Sequence, residues 1–251
     1  MRFLVKSEEI EVGVADWSTL EAEIVTRFSS GEGFALATLN LDHLVKLASD
    51  QQFCRAYQTQ DLVVADGNPI VWMSRLARQE VTLLPGADMV LDLARLAQKS
   101  GVSVGLVGST EESLRKAGEI LCQKIAGLKI ATAIAPPFGF DPMGEVAASI
   151  LEQLEASGAR MCFLALGAPK QEIFAARGRE LAPSIGFASI GAGLDFLAGS
   201  QQRAPEWVRK LALEWLWRMV LQPGRMVMRY LHCFRILPGH MIRSLKMRFK
   251  G

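Results

Sequence analysis

The chain has 251 residues, of which 50% are apolar and 22% are charged, and its formal net charge is +2. This balance is typical of a packed globular protein and excludes a disordered one. A chain of this length buries roughly 70–75% of its unfolded surface, so it needs no disulfide or metal to fold. The four cysteines form no CxxC pair, and we expect reduced, buried thiols in a cytoplasmic protein.

The sequence predicts neither a secretory signal nor a membrane-spanning helix. The N-terminal stretch meets Glu8 and Glu9 before any apolar region of useful length. The longest uncharged stretch, near 181–194, contains Pro and Gly and is shorter than the ~18 residues that a spanning helix needs.

Short apolar runs rich in Val, Ile and Ala alternate with amphipathic stretches through the first 200 residues. This alternation predicts an α/β fold with a Rossmann-like parallel sheet flanked by helices. The chain is expected to divide into a body, 1–199, and an appendage, 200–251. The predicted strands are 33–39, 61–65, 102–107, 128–134, 160–166 and 184–190, and the predicted helices are 41–57, 87–99, 110–125, 143–156 and one beginning at Pro169.

Small, polar and acidic residues follow five of the predicted strands. In open parallel sheets, ligands bind beyond the carboxyl ends of the strands, so these residues predict a polar crevice at that edge. They are Thr38, Asn40, Asp66, Gly67, Gly108, Gly167, Gln171, Glu172 and Asp195.

Asp66 is the candidate for general base catalysis. It directly follows the strand predicted at 61–65, so its carboxylate is held rigidly and can still take a proton from an attacking hydroxyl. The alternative role is capping of the next helix. Asp88 is expected in the first turn of its helix, where the dipole favours an acid, although it could also reach a ligand.

Gly105 and Gly108 form a Gly-x-x-Gly turn before the helix predicted at 110–125. Backbone N–H groups at such a turn favour a phosphate, and a plain strand-to-helix turn is the alternative. The full dinucleotide fingerprint is missing, because there is no third glycine and no acid ends the strand at 128–134. This opposes an NAD-dependent dehydrogenase.

Two side chains could recognise a nucleotide or a sugar. Gln171 offers a donor and an acceptor, and Asp195 can accept from hydroxyls. No Asp-x-Asp pair for a divalent metal occurs. If the reaction released a diphosphate, the available groups to neutralise its charge would be helix N-termini and the arginines of the appendage.

The appendage is strongly basic, while the rest of the chain is acidic. Residues 201–251 hold eleven Lys and Arg against two acids, a net charge of +9, and residues 1–200 carry −7. Many Trp, Leu and Met residues stand between the arginines, which favours an interfacial helix on anionic lipid. The alternatives are packing on the body, a subunit interface in a homo-oligomer, and binding of nucleic acid, which has less use for these apolar side chains.

Several strings over about residues 33–230 resemble the WecG/TagA/CpsF glycosyltransferases of bacterial cell-surface polysaccharide synthesis. The strings that carry this resemblance are Thr38-Leu-Asn40, Ala65-Asp66-Gly67, Gly86-Ala-Asp88, Leu166-Gly-Ala-Pro-Lys-Gln-Glu172, Gly193-Leu-Asp-Phe196, Gln202-Arg-Ala-Pro-Glu-Trp207, Leu213-Glu-Trp-Leu-Trp-Arg218 and Pro223-Gly-Arg225.

The resemblance implies an inverting transfer of a sugar from a UDP-sugar to a polyprenyl-diphosphate-linked saccharide, without metal or cofactor. Known donors of the family carry N-acetylmannosamine, its uronic acid or glucose. The resemblance also implies a peripheral protein at the cytoplasmic face of the inner membrane, with Asp66 as the base. The residues expected to bind substrate are Thr38, Asn40, Gly67, Asp88, Gly108, Gly167, Gln171, Glu172, Asp195, Arg203, Arg218, Arg225 and Arg229.

The sequence departs from the family pattern at two places. Leu83 and Leu84 stand where an arginine is usual, so one cationic contact is missing or replaced. Met228 stands where a second arginine is expected after Arg225, with Arg229 next to it. A rival interpretation is a non-catalytic nucleotide-binding module that docks on a membrane or a partner through the appendage.

Overall fold

The computed structural model describes residues 1–249, except for the side chains of Lys210 and Arg225. The strands are β1 (Arg2–Val5), β2 (Glu8–Glu11), β3 (Phe34–Leu39), β4 (Leu62–Ala65), β5 (Ser103–Gly108), β6 (Ile130–Ile134), β7 (Ala159–Ala165) and β8 (Gly186–Ser189). The helices of the body are α1 (Trp17–Ser30), α2 (Leu41–Ser49), α3 (Gln51–Gln58), α4 (Asn68–Leu76), α5 (Gly86–Lys99), α6 (Glu111–Lys124), α7 (Glu145–Ala156), α8 (Lys170–Leu181) and α9 (Gly193–Ala198). The appendage forms α10 (Glu206–Lys210), α11 (Glu214–Leu221) and α12 (Pro223–Met247).

The predicted parallel sheet is confirmed. Its six strands stand in the order β4-β3-β8-β7-β5-β6, and every pair is parallel. Strands β3, β4 and β8 are buried at every residue, which explains their continuous apolar sequences. Counted along the chain, this order is 2-1-6-5-3-4, and it differs from the 3-2-1-4-5-6 order of the classic dinucleotide-binding fold.

Helices cover both faces of the sheet. Helices α1, α5, α6 and α9 pack on one face, and α2, α3, α4, α7 and α8 pack on the other. Alternate residues of each strand supply the two faces, so Phe34 and Leu36 point to one side while Ala35 and Ala37 point to the other. Because all six strands are parallel, their carboxyl ends meet at the same edge of the sheet.

Two local predictions were wrong, and several elements were missed. The helix predicted at 41–57 is two helices, because the Asp50 backbone is extended and its carboxylate accepts from the N–H of Phe53, which caps α3. Pro169 precedes α8 as its N-cap instead of occupying the first helical position. No element was predicted for the β1–β2 hairpin, α1 or α4.

The cysteines follow the prediction with one exception. Cys54, Cys162 and Cys233 are buried, and all four thiols are free. Cys122 is exposed, because the neighbouring Leu121 takes the buried position on α6. The prediction of a buried thiol was wrong there.

The appendage packs on the body through one face of α12. This face lies against α2, α4 and the β1–β2 hairpin, with Cys233 buried and Ile236 and Leu237 half-buried. Arg243 Nη1 donates to the carbonyl of Leu4 at 3.1 Å, and the His240 ring meets the ring of Phe3 edge-on. Packing on the body is therefore confirmed for this face of the appendage.

We expect a chain that ends at Gly199 to remain folded. Two of the three buried apolar clusters contain only residues of the body, and the third loses the side chains of α12. Each fully buried large apolar side chain stabilises by ~1.5–3 kcal/mol, so the free energy of unfolding should fall by several kcal/mol. Circular dichroism and urea unfolding test this, and a truncated chain without a cooperative transition would contradict it.

Candidate active site

Asp66 lies at the carboxyl end of the edge strand β4, beside Asn40. Its backbone N–H donates to the carbonyl of Leu39 at 2.7 Å, which fixes the strand exit against β3. Asn40 caps α2, because its Oδ1 accepts from the N–H of His43 at 3.0 Å. That cap turns the Asn40 amide nitrogen toward Asp66, and the Nδ2–Oδ2 distance is 3.4 Å.

The Asp66 carboxylate does not cap the helix that follows it. Helix α4 has Gly67 as its N-cap, and no side chain bonds to its first turn. Gly67 has a φ of 109°, a conformation that glycine adopts without strain. The helix-capping alternative for Asp66 is therefore wrong.

The surroundings of Asp66 bring its pKa close to neutrality. The pKa of Asp66 is raised from 3.8 to about 6, with burial as the largest cause and the nearby acids Glu214 and Asp88 acting in the same direction. The hydrogen bond from Asn40 and the charge of Arg218 act in the opposite direction. A carboxyl with such a pKa is ionised at pH 7 and still accepts a proton readily, as a general base must.

Helix α11 brings an ion pair over this carboxyl. Arg218 Nη2 lies 2.6 Å from Glu214 Oε1, and both side chains contribute to the pKa of Asp66. The Arg218 guanidinium stands 5.8 Å from the ring centre of Phe196, and Arg203 stands 5.7 Å from the same ring. Two predicted arginines of the appendage thus share one aromatic ring of the body.

Asp88 joins the same group of charges. It lies in the first turn of α5, as predicted, and forms ion pairs with Arg203 and, at 3.7 Å, with Arg209. Sequence reasoning missed Arg209 and the role of Phe196. Phe196 ends one of the quoted strings and Arg209 stands two residues after another, but their partners are distant in sequence.

A second polar group lies at the exits of β5, β7 and β8. Gly108 has a φ of 121°, and a Cβ there would meet the backbone of Ala165 at 2.4 Å, so only glycine fits. The next residue, Ser109, donates its hydroxyl to Asp195, whose other oxygen accepts from Gln201 at 2.8 Å. The chain leaves β5 toward β6 and leaves β7 toward β8, so the crevice between β5 and β7 is a topological switch point of the kind that binds ligands.

Three of the predicted site residues are buried below this edge of the sheet: Gln171, Glu172 and Thr38. Gln171 Oε1 accepts from the N–H of Gly191 at 3.2 Å, and its Nε2 donates to Glu172 Oε1 at 2.8 Å. Both side chains are buried, as is Thr38. Gly167, with a φ of 71°, stands above them at the exit of β7. The structure thus gives Gln171 a bridging position between α8 and the exit of β8.

Arg229 lies at one side of the site, in an ion pair with a buried acid. Its Nη2 is 3.0 Å from Asp42 Oδ2, and Lys46 Nζ is 2.9 Å from the same oxygen. Lys46 also donates to the carbonyl of Ala168 at 3.1 Å, which links α12 through α2 to the exit of β7. Asp42 and Lys46 were not predicted, although the acid stands two residues after Asn40. The side chain of Arg225 lies outside the described part of the structure.

A comparison with protein families matches residues 6–250 to the glycosyl transferase WecG/TagA/CpsF family. The chain belongs to this family. It is therefore a glycosyltransferase that takes a sugar donor and a saccharide acceptor, and membership supports a role in polysaccharide synthesis. Within residues 1–249, no helix combines the length and the apolar character needed to cross a membrane.

In this glycosyltransferase, Leu83 and Leu84 lie beside the strand exit that carries Asp66, at the place where the family pattern led us to expect an arginine. Leu84 N–H donates to the carbonyl of Ala65 at 2.8 Å, and Leu83 forms a parallel bridge with Ala65. The Leu83 side chain is 38% exposed, next to the exit of β4. The cations that gather around Asp66 and Asp88 come instead from the appendage.

We expect Glu172→Gln to become relatively more stable than wild type as the pH rises. Burial raises the pKa of Glu172 from 4.5 to about 7, so between these values the folded chain keeps a proton that the unfolded chain has lost. Wild type therefore loses stability from pH 4.5 to 7, by roughly 3 kcal/mol in all, and glutamine does not titrate. Urea unfolding at pH 5 and pH 8 measures this change.

The matched control is Glu152→Gln, at an exposed position on α7. Its stability relative to wild type should stay the same at both pH values. If the difference between Glu172→Gln and wild type were also constant, the buried carboxyl would not be protonated as described.

Proposed function

We propose that the protein catalyses an inverting, metal-independent transfer of a sugar from a UDP-sugar to a polyprenyl-diphosphate-linked saccharide. The observation that supports this most is the Asp66 carboxyl, which caps no helix, has a pKa of about 6 and lies under the ion pair of α11. A single displacement at the anomeric carbon needs one base, and Asp66 has the properties of that base.

In the proposed reaction, the acceptor hydroxyl attacks the anomeric carbon while Asp66 takes its proton. The new glycosidic C–O bond forms as the bond between the anomeric carbon and the diphosphate oxygen breaks, so UDP leaves with the bonding electron pair. Asn40 holds the carboxylate in place through its amide nitrogen, because its oxygen is committed to the cap of α2. Positioning of base and acceptor in this way lowers the entropic part of the barrier.

Cations of the appendage are suited to meet the charge of the leaving diphosphate. Three arginines lie around Asp88 and Phe196, namely Arg203, Arg209 and Arg218. A leaving diphosphate would replace Asp88 or Glu214 as the ion-pair partner of these arginines. Preorganised positive groups at a site of developing negative charge are a common source of rate enhancement. They would take the role that a divalent metal has in other enzymes.

We assign the nucleotide to the crevice between β5 and β7. A Cβ at Gly167 would meet no atom within 4 Å, so the backbone there is open to a ligand, and Asp195 lies in the first turn of α9, bonded to Ser109 at the exit of β5. Gln171 would act through the loop at Gly191, to which it is bonded. Among family donors, those with N-acetylmannosamine, its uronic acid or glucose are the first to assay, in a panel of UDP-sugars.

We expect Asp66→Asn to lower kcat by ~10²–10⁴-fold while donor binding is retained, because it removes only the base. UDP release on mixing a UDP-sugar with the lipid-linked acceptor measures kcat, and calorimetry with UDP measures binding. For wild type, kcat/KM should fall about tenfold for each pH unit below the pKa of about 6. The residual activity of the variant should lack this dependence.

Asp92→Asn is the matched control, since Asp92 is exposed on α5 and, among the described residues, forms its ion pair with Arg95. It should keep the rate and the pH dependence of wild type. Turnover by Asp66→Asn at the wild-type rate would remove Asp66 from the reaction. A wild-type protein that binds UDP but releases none from any donor would support the non-catalytic rival.

We further propose that the outer face of the appendage docks on the cytoplasmic face of the inner membrane. Val227, Leu231, Ile242 and Leu245 recur on the face of α12 that points away from the body, and all are exposed. Arg235 and Lys246 are exposed on the same helix, and the appendage as a whole has a net charge of +9. An apolar stripe bordered by cations is the arrangement with which helices lie on anionic lipid.

The double variant Ile242→Glu/Leu245→Glu should bind anionic vesicles at least roughly tenfold more weakly, because it replaces inserted apolar groups with acids. Sedimentation with phosphatidylglycerol vesicles measures this, and activity on a short-chain, water-soluble acceptor should not change. The control Val25→Glu/Leu181→Glu adds the same charges to exposed positions of the body. Equal vesicle binding by both double variants would refute docking through α12.

A further inference from the structure

A cleft of about 400 Å³ opens beyond the edge strand of the sheet, and one of its lining residues stands two residues after Asp66 in the sequence. Helix α4 forms one wall, and the segment 80–83 forms the other. Asn68 lines the cleft and stands two residues from Asp66, while Leu83 lines it and pairs with Ala65. The cleft and the base thus share a wall.

The cleft combines one large exposed aromatic side chain with polar groups that are free to bind. Trp72 is 44% exposed at its side. The side chains of Asn68, Arg75 and Glu80 also line it, and none of them forms a hydrogen bond or ion pair with another residue of the described chain. An amide, a guanidinium and a carboxylate around an indole supply both donors and acceptors.

This lining selects among the chemical classes that a glycosyltransferase handles. A diphosphate is disfavoured, because Arg75 is the one cation among the described lining residues and the acids Asp16 and Glu80 accompany it. A lipid chain is disfavoured by the same charges. A sugar ring fits, since its C–H face can lie on Trp72 while its hydroxyls bond to the polar rim.

The position of the cleft separates the two substrates. Strand β4 is at the edge of the sheet, and the exits of β8, β7 and β5 lie on the other side of β3. A donor in the crevice between β5 and β7 and a saccharide in the cleft would therefore come from different sides of β3. This leaves the acceptor hydroxyl and the leaving UDP free to stand on opposite faces of the anomeric carbon, as a direct displacement requires.

We propose that this cleft binds the saccharide of the acceptor, with Trp72 as the stacking platform and Arg75 and Glu80 as hydroxyl partners. The proposal rests on the proposed function, whose acceptor it locates. It also gives Leu83 a role: an uncharged side chain at this point leaves the wall of the cleft open to a neutral sugar.

The test uses Trp72→Ala, Trp72→Phe and Arg75→Ala in the full chain. We expect the KM for a short-chain polyprenyl-diphosphate saccharide to rise by roughly tenfold or more in Trp72→Ala, as for truncation of a Trp anchor elsewhere. Trp72→Phe should restore most of the affinity, and the KM for the UDP-sugar should not change. Arg55→Ala, at an exposed position of α3 outside the cleft, is the control for Arg75→Ala.

A second measurement does not depend on turnover. Saturation-transfer NMR with methyl glycosides of glucose, N-acetylglucosamine and N-acetylmannosamine should detect binding to wild type and its loss in Trp72→Ala. If wild type transfers sugar but Trp72→Ala keeps its acceptor KM, the cleft is not the acceptor site. If wild type transfers nothing, the glycoside signal still decides: loss in Trp72→Ala supports a saccharide site, and no signal with wild type overturns it.

Discussion

Desolvation of one carboxyl at the end of an edge strand is the constraint around which the site is organised. The Asp66 side chain is half-buried at the strand exit, and desolvation is the largest cause of the rise of its pKa to about 6. A buried charge without partners would destabilise the fold. The hydrogen bond from Asn40 and the positive charge of Arg218 limit that cost, so the carboxyl stays ionised at neutral pH while remaining basic.

The distribution of charge along the chain helps to hold the appendage on the body. An acidic body and a basic appendage attract one another, and the structure has two specific attachment points between them. Asp88 holds Arg203 and Arg209 on one side of the site, and the buried Asp42 holds Arg229 on the other. The appendage is therefore positioned over Asp66 by ion pairs as well as by the apolar face of α12.

Much of the fold was predictable from the sequence, because fully buried parallel strands have continuous apolar sequences. The exit of β4 identified Asp66 for the same reason, since an acid directly after such a run must stand at the sheet edge. The hairpin was missed because β1 and β2 have four residues each, and three of the four residues of β2 are exposed acids. The break between α2 and α3 depends on a single cap at Asp50, within an otherwise helical pattern.

The partners of the predicted site residues were beyond the reach of sequence reasoning. That Asp195 receives Ser109 and Gln201, or that Gln171 bridges to Gly191, follows from loops that meet only in three dimensions. The spacing of residues along the sequence does not indicate such contacts. The cleft at Trp72 was missed for a related reason, because its two walls come from a helix and from a segment without regular structure.

The attachment of Arg229 to Asp42 has a consequence for protein engineering. An α-helix turns by about 100° per residue, so inserting or deleting one residue between α11 and position 229 would carry the guanidinium away from its acid. A chimaera that exchanges appendages between relatives must therefore preserve the spacing from the body to this position.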